Sequence, residues 1–150
     1  VLSMHYRFLV TGVQNIPWEG PVLLVGNHIS YIDWAIIQMA SPRPMRFVIT
    51  RRPFEKWYVK LLLSQMETID LDISNPAPAM EEAKKALLRG EAVVMFPENA
   101  MTSTGNMSRF RLDYSSVVKD VPRLKLLPFY VQGLWGQKYL VDVRCRKACV

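Results

Sequence analysis

Two short stretches carry residue types and spacings that could do chemistry. The first is Asn27-His28-Ile29-Ser30-Tyr31-Ile32-Asp33, which places a carboxylate five residues after a histidine, directly behind the apolar run Val22-Leu23-Leu24-Val25. On one continuous helix five residues turn by about 500°, leaving the two side chains about 140° apart. If His28 instead lies between a strand and a helix whose N-cap is Ser30, Asp33 falls in the first turn. Side chains there lean toward the N-terminus, so the carboxylate could accept a hydrogen bond from the His28 ring. Such a carboxylate fixes the histidine tautomer and stabilises the imidazolium that forms when the ring removes a proton. That would make a general base with no serine partner. The same residues also support a purely structural reading, because Ser30-x-x-Asp33 is a capping-box spacing.

The second stretch follows the apolar run Ala92 to Phe96 and reads Pro97-Glu98-Asn99-Ala100-Met101-Thr102-Ser103-Thr104-Gly105. Its carboxylate, amide, hydroxyls and glycine could line a pocket for a hydroxylated ligand. Glu98 would repel a phosphate, so it is expected to accept from a substrate hydroxyl or to orient a donor. An ordinary polar connection has the same composition. Two such clusters at the carboxyl ends of parallel strands would be brought to the same edge of a sheet.

The elements that must position these clusters alternate between short apolar runs and longer helix-patterned segments, which points to an α/β fold with a mostly parallel central sheet flanked by helices. Strands are expected at Val22–Val25, Phe47–Ile49, Thr68–Leu71, Ala92–Phe96, Leu124–Val131 and Tyr139–Arg144, with Gly133 and Gly136 as turn signals between the last two. Helices are expected at Tyr31–Met39, at Phe54–Met66 and, most clearly, at Pro76–Arg89. For the last, Asn75 is the expected N-cap, Pro76 suits the first turn and Gly90 can close the C-terminus. Residues 68 to 96 then form a βαβ unit with a right-handed crossover.

With 150 residues, 50% hydrophobic and 21% charged, the chain fits a single domain spanning 1–150 and excludes intrinsic disorder. A chain of this length buries roughly 68–70% of its unfolded surface and needs neither disulfide nor metal to hold a core. Cys145 and Cys149 have no partner cluster, so no metal site is expected and a reducing, cytosol-facing setting is the simpler reading. A net charge of +6 brings nucleic acid, an anionic membrane and an acidic carrier protein into consideration. No recognition motif accompanies the charge, so no nucleic-acid partner is expected. No apolar run approaches the ~18–20 residues of a membrane-spanning helix, and the opening residues do not form a signal peptide. The chain is expected to be either a fragment of something longer or a peripheral protein.

Taken together, these residues resemble the glycerolipid acyltransferase family, typified by the 1-acylglycerol-3-phosphate acyltransferases. The family's N-H-x-x-S-x-x-D-like signature is matched by Asn27 to Asp33, and its F-P-E-G block, about 65–70 residues further on, by Phe96-Pro97-Glu98-Asn99. Gly12 to Pro17 with Gly20-Pro21-Val22 is similar to the family's entry segment, and Leu127-Pro128-Phe129 to its late strand motif. The Thr102-Ser103-Thr104-Gly105 tail resembles the acyltransferase portion of bacterial 2-acylglycerophosphoethanolamine acyltransferases.

The resemblance implies an acyltransferase that moves a fatty acyl group from an acyl thioester to a lysophospholipid hydroxyl, with His28 as base and Asp33 orienting it. Asn27, Phe96, Pro97, Glu98, Asn99, Thr102, Thr104 and Gly105 are the substrate-binding residues it implies, with Glu98 and its loop on the glycerol portion and backbone N–H groups on the tetrahedral oxyanion. No bound cofactor is implied; acyl-CoA or acyl-carrier protein is the donor substrate. Lipid substrates imply a membrane surface as partner and a location at the cytoplasmic face of a membrane. Trp34, Trp57 and Tyr58 could form an interfacial patch or pack in the core. The chain departs from the family pattern where Asn99-Ala100-Met101 replaces the usual Gly-Thr/Ser-Arg and where Leu71, not arginine, follows Asp70. Both departures disfavour a bare phosphomonoester acceptor, and Arg51, Arg52, Arg109 and Arg111 are the available substitutes. They also keep open a catalytically weak or inactive phospholipid-binding domain of the same fold.

Overall fold

The computed structural model describes residues 10–30, 32–50, 66–102, 104, 106–110 and 114–132. Strands β1 (Val22–Gly26), β2 (Met45–Ile49), β3 (Ile69–Asp70), β4 (Ala92–Met95) and β5 (Lys125–Phe129) lie in the order β3-β2-β4-β1-β5, and every described pairing is parallel. Helix α1 (Asp33–Ala40) follows β1, α2 (Ala77–Leu88) joins β3 to β4, and the short α3 (Ser115–Val118) precedes β5. The expected βαβ unit is present, but its strands are not neighbours, since β2 lies between them.

The apolar runs form strands because both faces of the sheet are covered, so no position along β1 or β4 faces water. Val22 and Leu24 join Phe47, Val94, Ile36 and Ile37 on the face covered by α1. Leu23 and Val25 point the other way, onto Val93, Met95 and the apolar stripe of α2 formed by Ala79, Ala83, Ala86 and Leu87. Each fully buried large side chain contributes about 1.5–3 kcal/mol of transfer free energy. Trp34 belongs to this core, 7% exposed, and not to a surface patch.

Helix α2 departs from expectation at its start and matches it at its end. Asn75 does not cap it: Pro76 precedes the first helical residue, Pro78 follows, and no side chain bonds to the helix N-terminus. With proline at the second helical position, a donor that a cap would satisfy is missing from the outset. At the other end Gly90 adopts φ 82°, its N–H donates to the Leu87 carbonyl and that of Glu91 to Ala86. This double closure needs a left-handed residue, which glycine supplies without steric cost. Helix α1 begins two residues later than expected, at Asp33. The expected helix over Phe54–Met66, the strand Tyr139–Arg144, and residues Trp57, Tyr58, Gly133, Gly136, Cys145 and Cys149 lie outside the described residues, apart from Met66 at the helix's end.

Registry sets the site. Val25 pairs with Met95 and Gly26 with Phe129, so the chain leaves β1, β4 and β5 at one edge of the sheet. Asn27-His28, Phe96-to-Asn99 and Tyr130-Val131 emerge there together.

Candidate active site

His28 sits in the connection between β1 and α1, and its Nδ1 lies 2.9 Å from Asp33 Oδ2. The same oxygen accepts the backbone N–H of Ile29 at 2.7 Å and of Ser30 at 2.9 Å. An oxygen receiving two N–H donors acts as an acceptor, so the His28 Nδ1 carries the hydrogen and Nε2 is left with its lone pair. Asp33 is fully buried at the first residue of α1, where the positive end of the helix dipole favours an anion. One half of the capping box is therefore present, from the Asp33 carboxylate back to the Ser30 N–H. The other half is not: the Asp33 N–H donates to the Ser30 carbonyl at 3.3 Å, and Ser30 is not the N-cap. The structural and catalytic readings of the spacing coexist in one carboxylate.

Phe96 stacks on the His28 ring with centroids 4.6 Å apart, and Phe129 meets Phe96 edge-on at 6.0 Å. The His28 side chain keeps 24% of its surface exposed. One flank of the ring is thus held by carbon and one nitrogen by a carboxylate, while part of it still meets solvent.

Several residues expected to contact a substrate make hydrogen bonds within the chain. Asn27 is 1% exposed, and its side-chain amide both donates to and accepts from the Val131 backbone, each at 2.8 Å. It extends the β1–β5 pairing past the end of the ladder. Glu98 is fully buried; its Oε1 accepts the His28 N–H at 3.0 Å, and its Oε2 accepts both the N–H and hydroxyl of Ser108, at 2.7 and 2.8 Å. Of the two roles considered for Glu98, this geometry shows it orienting donors of the chain itself, the His28 N–H and the Ser108 N–H and hydroxyl. The Thr102 hydroxyl donates to the Asn106 carbonyl at 2.7 Å, and Thr104, exposed, lies 3.4 Å from that hydroxyl. Pro97 is buried, and Gly105 lies outside the described residues. Asn99 closes a turn on the Phe96 carbonyl at 3.0 Å with φ 56°. That left-handed conformation accounts for a glycine in the matching F-P-E-G block, and asparagine is among the side chains that tolerate it.

A cavity of about 250 Å³ opens beside His28, lined among others by Trp34, Ile49, Thr50, Phe96, Asn99 and Met101. Sequence reasoning missed Thr50, Ile49 and Met101, and also Ser108. The strand-end position of Ile49 and Thr50 was the available signal for two of them. A hollow of about 600 Å³, bordered by Arg43, Arg46, Glu67 and Glu91, lies at the opposite edge, remote from His28. Among the described residues no three His, Cys, Asp or Glu side chains gather as a metal site would require, and no helix is long and apolar enough to cross a membrane.

A doubly covered parallel sheet with a histidine–carboxylate pair at its carboxyl edge defines an α/β domain equipped for proton transfer. Residues 7–132 match the Acyltransferase family, and the chain belongs to it. It is 27% identical over 108 residues to the 1-acyl-sn-glycerol-3-phosphate acyltransferase of Borreliella burgdorferi, covering 70% of this chain and 43% of that protein. It is 30% identical over 113 residues to the Pseudomonas aeruginosa protein of the same name, covering 69% and 41% respectively. The chain thus spans less than half the length of these curated relatives. The fold is similar to that of the 1-acyl-sn-glycerophosphate (LPA) acyltransferase PlsC from Thermotoga maritima, with a TM-score of 0.68 at 22% identity over 95% of this chain and 58% of that one.

Proposed function

We propose that the chain is the catalytic domain of a glycerolipid O-acyltransferase that moves a fatty acyl group from an acyl thioester to a lysophospholipid hydroxyl. The observation that carries this reading is the 2.9 Å bond between His28 Nδ1 and Asp33 Oδ2 beside a largely apolar cavity, within a chain of the Acyltransferase family. Nε2 takes the proton of the acceptor hydroxyl as its oxygen attacks the thioester carbonyl carbon. Asp33 stabilises the imidazolium so formed. The tetrahedral intermediate then collapses, the C–S bond breaks, and the thiolate leaves with the proton held by His28. No acyl-enzyme is needed. Asp33 and Glu98 position the base, the first through its ring and the second through its backbone N–H.

Donors are acyl-CoA or acyl-carrier protein, and the work is done at the cytoplasmic face of a membrane, where a lysophospholipid acceptor resides and these donors reach it from the aqueous side. The test is transfer of a labelled acyl group from each donor to a panel of lysophospholipids. The native protein should turn over at least one pair, and folded His28→Ala should lose activity by 10²–10⁴-fold, the usual contribution of a general base. Turnover unchanged in that variant would refute the assignment of the base. Vesicle binding without turnover for any pair would instead favour the non-catalytic lipid-binding domain.

A further inference from the structure

Most polar side chains around His28 are committed within the chain: Asn27 to Val131, Glu98 to His28 and Ser108, Thr102 to Asn106. Asn99 is not. It lines the cavity of about 250 Å³ together with His28, and its Oδ1 is sealed from water with no hydrogen-bond partner. An acceptor buried without a donor costs about 1–3 kcal/mol. The left-handed backbone of the same residue, φ 56°, is a second cost. Two unfavourable features at one residue on a cavity wall point to a group held for a ligand and not for the fold. The terminal torsion of an asparagine is broad, so a ligand in the cavity could recruit the amide without moving the backbone.

The wall bounds the chemistry of that ligand. Among the described residues no charged side chain other than a protonated His28 lines the cavity; its other side chains with polar atoms are Thr50, Asn99 and the Trp34 indole, and the rest, including Ile49 and Phe96, is apolar. A full charge placed there would lose its hydration without a counter-ion. A secondary amide would not, and its N–H can donate to Oδ1. The thioester arm shared by acyl-CoA and acyl-carrier protein contains such amides; a glycerophospholipid backbone contains none, and the reacting hydroxyl of the acceptor gives its one hydrogen to His28 Nε2.

We propose that Asn99 is a specificity-determining residue whose side-chain Oδ1 accepts the N–H of a secondary amide in the arm of the acyl-thioester donor. This rests on the acyl-transfer reading and assigns one of its two substrates to this part of the cavity. Asn99→Gly is the suitable variant, because glycine keeps the positive φ while removing the amide.

Two measurements test it. In steady-state assays of acyl-CoA against the amide-free ethanethiol thioester of the same acyl group, Asn99→Gly should raise the KM for acyl-CoA about tenfold. The acceptor KM and the use of the ethanethiol thioester should stay unchanged, and the thermal midpoint should rise, since glycine removes both the unpaired acceptor and the strained φ. In calorimetric titrations with a non-reactive S-alkyl-CoA, the same variant should bind about tenfold more weakly than the native protein. An unchanged KM and affinity for the CoA ligands, a shift in the acceptor KM instead, or equal losses with both thioesters would overturn the inference. A native protein that binds S-alkyl-CoA in an Asn99-dependent way but turns over no substrate would overturn the acyl-transfer reading and leave the Asn99 contact standing.

Discussion

Oδ2 of Asp33 serves three donors, the His28 ring and the N–H groups of Ile29 and Ser30, so one atom sets both the tautomer of the base and the path of the backbone beneath it. Asp33→Asn removes the charge and turns half of the group into a donor. Its kcat is expected to fall by 10²–10⁴-fold with the fold retained, as measured by steady-state assay and thermal melting. Glu98→Gln separates positioning from contact. A glutamine leaves either the His28 N–H or the Ser108 pair facing a donor, at a cost of about 1–3 kcal/mol, and should lower the thermal midpoint and kcat together while the acceptor KM holds. An increase in acceptor KM alone would mean that Glu98 touches the acceptor. The His28–Asp33 bond was legible in the sequence because both residues lie within one seven-residue stretch following a strand. The partners of Glu98 and Asn27 were not, because they stand 70, 10 and 104 positions away, and no local pattern encodes such pairings. The polar types suggested ligand contacts, and nothing in the local sequence shows that Asn27, Glu98 and Thr102 are buried.

The elements hold the ring of His28 through a chain of aromatic contacts that ends at a glycine. A Cβ on Gly26 would meet the Phe129 ring at 2.5 Å. Gly26→Ala should therefore displace Phe129, loosen its edge-on contact with Phe96 and disturb the stack on His28, lowering kcat without abolishing the fold. Near-ultraviolet circular dichroism would register the aromatic change alongside the assay. Gly90→Ala acts elsewhere: forcing alanine into φ 82° at the end of α2 should cost about 1–2 kcal/mol in stability by urea titration and leave kcat alone. Strand existence was legible in the uninterrupted apolar runs, as doubly covered parallel strands require. The edge of α2 was not: Asn75 has the right side chain for a cap, but Pro76 and Pro78 on its far side had already removed the need for one.

At the scale of the sheet, the proposed active site and the Arg43 and Glu91 networks of the described residues lie at opposite edges. At the edge away from His28, the Arg43 guanidinium donates to the carbonyls of Pro17, Gly20 and Gly90, at 3.2, 2.9 and 2.7 Å. Arg43→Ala should cost about 2–3 kcal/mol of stability through these lost charge-assisted bonds. Nearby, burial pushes the Glu91 carboxyl up, but hydrogen bonds from Arg89 and Arg46 outweigh it and hold the group below the ordinary carboxylate range. Because its folded value is the lower one, the stability that Glu91 contributes is complete above the unfolded value of about 4.3 and is lost as the pH falls through the folded value. Urea titrations from pH 6 to 3 should show a steeper acid loss for the native protein than for Glu91→Gln, with kcat at neutral pH the same in both.

The tie between Asn27 and Val131 spans 104 positions, and β1 is flanked by β5 on one side and by β4 on the other. During synthesis His28 leaves the ribosome long before the strands that flank its own. Until β5 docks, the Asn27 amide has no partner, and the neighbouring base has no fixed place on the sheet edge. On the proposed role of His28, a nascent or truncated chain ending before Lys125 should therefore transfer no acyl group from a thioester, since the sheet edge that holds the ring is completed by β5.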